Sequence, residues 1–107
     1  IVISRPSPER VVIDAGSKTF GLDKGAQGIN VVTGHGAAFG FEGSLDRLSE
    51  EHGMLSVRAD SPIAVGDVVR IVPNHACVVG NLGREFVGIR DGIIEEILPI
   101  DAAGGVH

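Results

Sequence analysis

His75 and Cys77, in Val72-Pro73-Asn74-His75-Ala76-Cys77, are the two residues whose types and spacing best suit chemistry. An imidazole nitrogen and a thiolate sulfur are both ordinary zinc ligands. On a helix, residues i and i+2 point about 200° apart, whereas on an extended chain they emerge on one side. The apolar run Val68–Val72 followed by Pro73 predicts the extended form for the pair. In a tetrahedral zinc site the donor atoms lie about 3.5 Å apart, and Cα atoms two apart on a strand lie about 6.6 Å apart, so both side chains must lean together. A long imidazole and a short thiol allow that. Cysteine is also among the most buried residue types, and Ala76-Cys77-Val78-Val79 reads equally as packed core with His75 hydrogen-bonded at its rim. The spacing permits either reading. Two protein ligands would leave open positions for water or substrate, and any further donor would come from His35, His52, an acid or another segment.

Other candidate groups sit in turns. Ser49-Glu50-Glu51-His52-Gly53 reads most simply as a solvated connection leading into the next strand. Gly34-His35-Gly36 reads as a polar turn in which the flanking glycines would let a histidine approach other backbone closely. Lys18 and Lys24 are the only lysines.

The elements that must position these groups are short strands. Ile1–Ser4 leads through Pro6 and Pro8 into Val11-Val12-Ile13, and Asp14-Ala15-Gly16-Ser17-Lys18 is a turn in which Gly16 can take positive φ. Ile29-Asn30-Val31-Val32 predicts another strand. Leu45, Leu48 and His52 lie at helical spacing, with Ser44 placed to cap a short helical turn, whereas Met54–Arg58 alternates like a strand. Val68–Val72 predicts a strand buried on both faces, with Arg70 needing solvent or a partner. Arg90-Asp91-Gly92 between apolar runs signals a hairpin, its second strand ending at Pro99-Ile100. The pattern is seven or eight short strands with one short helical turn: an all-β, mainly antiparallel barrel or sandwich, in one domain over residues 1–107.

Composition narrows the function. The 107 residues carry a net charge of -5, with neither Tyr nor Trp, so they offer no phosphate-neutralising surface or base-stacking platform, and nucleic acid is not an expected partner. One cysteine makes no internal disulfide, which fits a reducing cytoplasm, and no apolar run reaches the ~20 residues of a membrane span. The start at Ile1, without Met, reads as an excised or processed segment.

Five motifs then fall in a telling order: Val12-Ile13-Asp14-Ala15-Gly16-Ser17-Lys18, Leu48-Ser49-Glu50-Glu51-His52-Gly53, Val65-Gly66-Asp67, Val72-Pro73-Asn74-His75-Ala76-Cys77 and Arg90-Asp91-Gly92. Across nearly the whole chain this set resembles the C-terminal domain of D-serine dehydratase-like and D-threonine aldolase-like enzymes. Those belong to the alanine racemase-like pyridoxal phosphate proteins, in which a separate barrel domain holds the cofactor and a mostly β domain closes over the site. The resemblance implies that His75 and Cys77 ligate zinc or another divalent metal that binds the β-hydroxyl of a D-amino-acid substrate. It also implies that Glu51 and His52 face the active site and that the intact enzyme is a homodimer. Aldolase-type members typically carry His-x-Asp, so Cys77 tilts the comparison towards a dehydratase. The Schiff-base lysine belongs to the barrel, with Lys18 a turn or interface residue, so the chain by itself would be inactive and its metal site empty or adventitious. The alternative is a non-catalytic β module for partner binding or oligomerisation.

Overall fold

The computed structural model describes residues 1–25 and 33–103. The strand expected at Ile29–Val32 lies outside the described residues. Eight strands and two short helices are described: β1 (Val2–Ser7), β2 (Arg10–Ile13), α1 (Ser17–Phe20), β3 (Gly36–Phe39), β4 (Gly43–Leu48), β5 (Gly53–Val57), β6 (Arg70–Pro73), α2 (Ala76–Leu82), β7 (Glu85–Arg90) and β8 (Ile93–Pro99). The expected all-β antiparallel class is what the chain adopts. Strands β1-β2-β5-β4-β3-β6 form one six-stranded sheet, and β7-β8 form a separate hairpin.

Alternation builds the core. In β5, Gly53, Leu55 and Val57 point inward while Ser56 faces water, and Leu45 of β4 lies directly opposite Leu55. Val2, Val11, Ile13, Leu45, Leu55, Val57 and Ile63 are buried together. Fully burying one such side chain stabilises the fold by about 1.5–3 kcal/mol relative to leaving it exposed. The sheet is open, with β1 and β6 as its edges, and a strap bridges the gap. Val2 N–H donates to Asp67 O at 2.9 Å, and Gly66 N–H donates to Val2 O at 2.8 Å, just ahead of β6. Arg5 on β1 reinforces the strap: Nη1 donates to Ser61 O at 2.9 Å and to Ile63 O, and Nη2 donates to Pro8 O at 2.7 Å. Pro6 and Pro73 occur in β1 and β6, the edge strands, where a missing N–H breaks no central ladder.

Four expectations are corrected. The Val68–Val72 strand begins only at Arg70 and is not buried on both faces: Val68 and Val72 are exposed and Ile71 half-buried, because only one face of β6 is covered, so its residues alternate between exposed and half-buried. Arg70 finds its partner in the Phe39 ring, with the guanidinium carbon 5.9 Å from the centroid. Segment 44–52 carries no helical turn; β4 runs to Leu48, and its pairing with β5 overrides the helical spacing. Gly16 is extended, at φ -115, and is glycine for another reason: a Cβ there would lie 2.4 Å from Ser49 O. Finally, Ala76–Leu82 is a helix with no buried residue, so it is neither strand nor packed core. Among the described residues the helical turns are therefore α1 and α2, which pack on each other. The Asp91-Gly92 hairpin forms as expected, with φ of 50 and 79 giving the two left-handed residues of a tight turn.

Candidate metal centre

The corner that carries His75 is fixed by Asn74. Its side-chain Nδ2 donates to Thr33 O at 3.2 Å and Gly34 O at 3.1 Å, and its backbone N–H donates to His35 O at 3.0 Å. The clamped Gly34-His35-Gly36 segment is held from below, where His35 N–H donates to Leu45 O at 2.7 Å. Both glycines are required. Gly34 sits at φ 70 with a Cβ position 2.5 Å from Leu45 O, and a Cβ on Gly36 would meet Ile71 Cγ2 and Val72 O at 2.8 Å. His35 is thus buried rather than in a solvated turn, and its Nδ1 has no partner among the described residues.

His75 stands just before α2 with extended backbone, φ -133 and ψ 92, and Cys77 is the second residue of the helix. The uniform strand expected across the pair is therefore replaced by a strand-to-helix corner. The helical separation of about 200° does not govern a pair of which one member lies outside the helix. The His75 ring is partly buried, its Nδ1 lying 3.1 Å from Asp23 Oδ2, and Cys77 is a free, exposed cysteine. Sequence reading missed Asp23, which is 52 residues from His75 and belongs to no motif. Among the described residues, no three His, Cys, Asp or Glu side chains gather as a metal-holding group. Imidazole and thiolate are a donor pair that suits zinc, and His75 and Cys77 present one of each at this corner.

Glu51 and His52 occupy a separate turn. Ser49 Oγ accepts from His52 N–H at 3.1 Å, and Ser49 N–H donates to His52 O at 2.8 Å. This turn docks on α1 through Ser17 N–H to Ser49 O at 2.8 Å and Lys18 N–H to Glu50 O at 3.2 Å. The Glu51 carboxylate pairs with the Lys18 ammonium at the exposed surface, and His52 is exposed. No hydrogen bond or ion pair among the described residues joins Glu51 or His52 to His75 or Cys77. The link between the two places is indirect, running from the turn to α1 and from α1 to α2. A cleft of about 350 Å³ lined by Lys18, Thr19, Val79, Leu82, Glu85 and Phe86 lies along that junction.

A family profile described as a putative serine dehydratase domain matches residues 1–89. D-threonine aldolase of an Arthrobacter species is 36% identical over 106 residues, covering 96% of this chain and 25% of that protein. An uncharacterised protein of Mycobacterium tuberculosis is 31% identical over 105 residues, covering 96% of this chain and 76% of its own length. In the crystal structure of D-threonine aldolase from Filomicrobium marinum, 28% of that chain superposes on all of this one, with TM-score 0.84 and 32% identity. A cysteine-to-alanine variant of D-threo-3-hydroxyaspartate dehydratase, in its metal-free form, matches with TM-score 0.74 and 25% identity over 92% of this chain and 30% of that one. The chain thus spans about a quarter of the aldolase but about three quarters of the mycobacterial protein.

Proposed function

The chain belongs to the putative serine dehydratase domain family, and from that premise we propose that it is the metal-binding C-terminal domain of a pyridoxal phosphate-dependent lyase. The substrate class is a β-hydroxy D-amino acid, cleaved in the manner of a D-serine dehydratase or a D-threonine aldolase. The observation that carries the reading is the corner itself, where the His75 imidazole and the exposed Cys77 thiol stand on a backbone clamped by Asn74. A divalent cation held there, zinc first, supplies Lewis acidity to the substrate's β-oxygen. His75 and Cys77 hold and orient that cation, and the open positions receive substrate. Cys77 in place of the aldolase-type Asp favours dehydration, while the aldolase relatives keep carbon–carbon cleavage in view.

Pyridoxal phosphate does not fit this chain's own residues. Lys18 is paired with Glu51 on the surface and Lys24 is exposed, so neither lysine is enclosed as a Schiff-base lysine must be. That group belongs to a barrel domain, without which the β domain is inactive and holds its metal weakly. Glu51 and His52 face the substrate side of the assembled enzyme, a cytoplasmic homodimer. The test assays the full-length protein with D-serine and D-threonine, with and without chelator, alongside metal analysis of a His75→Ala, Cys77→Ala double variant. Chelator-sensitive turnover and loss of stoichiometric zinc in the variant support the reading; equal zinc in both proteins removes the site.

The short mycobacterial relative favours a second reading, a non-catalytic β module. The unmatched quarter of that protein is too small for a cofactor-bearing barrel. A gene encoding no barrel upstream of Ile1 would select this reading.

A further inference from the structure

The geometry points to Asp23 as a positioning residue that fixes which nitrogen of His75 faces the metal. This rests on the metal reading above and deepens it. His75 Nδ1 lies 3.1 Å from Asp23 Oδ2. A carboxylate accepts only, so the neutral ring must carry its proton on Nδ1, leaving the Nε2 lone pair free to ligate. The two ring nitrogens point away from each other, so a carboxylate on Nδ1 stands outside the coordination sphere of an ion on Nε2. It acts on the metal through the imidazole, by holding the ring's orientation and tautomer.

Two further features make the contact a built one. Gly21, just after α1, has φ 69, and a Cβ there would lie 2.3 Å from Val78 Cγ1, so the loop closes directly onto α2. Asp23 follows two residues later and is delivered to the start of that helix. From the other side, the three donations of Asn74 fix the backbone from which His75 projects. The Asn74 clamp thus sets the backbone of the ligand, and Asp23 sets its ring and tautomer. The 28% exposure of the His75 side chain leaves one part of the ring accessible, while Asp23 is 58% exposed and free to adjust.

The test uses protein labelled with ¹⁵N-histidine, metal-free, at a pH of about 8, where an ordinary imidazole is neutral. Long-range ¹⁵N–¹H correlations for His75 are expected to show the Nδ1–H tautomer in the parent and its loss of dominance in Asp23→Ala. Zinc affinity, measured by chelator competition, is expected to fall about 10–100-fold in Asp23→Ala. Asp23→Asn, whose amide oxygen still accepts from Nδ1–H, recovers both the tautomer and most of the affinity. An unchanged tautomer in Asp23→Ala overturns the inference. So does a loss of zinc as complete as that in His75→Ala, which would make Asp23 a ligand. Zinc affinity unaltered by His75→Ala instead overturns the metal reading, and leaves the hydrogen bond to be judged by the tautomer alone.

Discussion

Replacing Gly16 by Ala tests whether the turn carrying Glu51 and His52 is anchored on α1. The backbone at Gly16 is extended, so alanine adopts it freely and the cost is steric. The new Cβ would lie 2.4 Å from Ser49 O and 2.5 Å from Glu50 O, against an ordinary contact of 3.4 Å or more, so these carbonyls must retreat by about 1 Å (3.4 − 2.4). The same carbonyls accept from Ser17 N–H at 2.8 Å and Lys18 N–H at 3.2 Å, and that retreat takes both beyond hydrogen-bonding range. Two bonds at about 1 kcal/mol each, with about 1–3 kcal/mol of overpacking, give a loss of about 3–5 kcal/mol. That is a large share of the ~5–15 kcal/mol stability of an ordinary domain. Urea unfolding of parent and variant should show a lower midpoint with an unchanged slope, and the Ser17 and Lys18 amides should exchange faster. A loss below ~0.5 kcal/mol, the range of a neutral surface change, would refute the docking argument.

Two further outcomes follow from the framework. Arg5→Met keeps the side-chain stem but removes the donors to Ser61 O, Ile63 O and Pro8 O, and should cost about 2 kcal/mol, read as a lower thermal midpoint. An unchanged midpoint would show that the strap holds without the Arg5 donors, by its backbone hydrogen bonds to Val2 and apolar contact. The Arg58 guanidinium, hydrogen-bonded to Asp60 through Nε at 2.9 Å and Nη2 at 3.0 Å, holds the Asp60 carboxyl below its ordinary 3.8. Because the folded value is the depressed one, this pair's stabilising contribution is complete above the ordinary carboxylate range and disappears as pH falls through the folded value. Carboxyl ¹³C titration should find the Asp60 midpoint below 3.8 in the parent and moved back up in Arg58→Gln; equal midpoints would mean that the pair does not form in solution.

Much of the sheet was legible because its signals are local. Asp91-Gly92 requires left-handed backbone at both turn residues, and the alternation of Met54–Val57 matches one buried and one wetted face. The set of five motifs was legible for another reason: its order along the chain is itself a sequence signal, and it agrees with the family profile over residues 1–89. Tertiary contact decided the rest. Val78 and Val79 favour a strand by propensity, yet with Leu82 they form a helical stripe, and packing against Gly21 selects the helix. Val68 and Val72 looked buried because an apolar run reveals neither where its strand begins nor which of its faces is covered. In the candidate site, His75 and Cys77 were readable from type and spacing. The Asp23 contact and the Asn74 clamp each span about forty residues or more, and no periodicity reports such pairings.

The central claim is that His75 and Cys77 share one metal ion in the intact protein, and cobalt(II) titration followed by near-ultraviolet absorption tests it most directly, because a thiolate bound to cobalt gives a sulfur-to-metal charge-transfer band. One equivalent of cobalt should raise that band in the parent, and Cys77→Ser and His75→Ala should each abolish it. A parent without the band, or a band that survives in Cys77→Ser, would contradict the account.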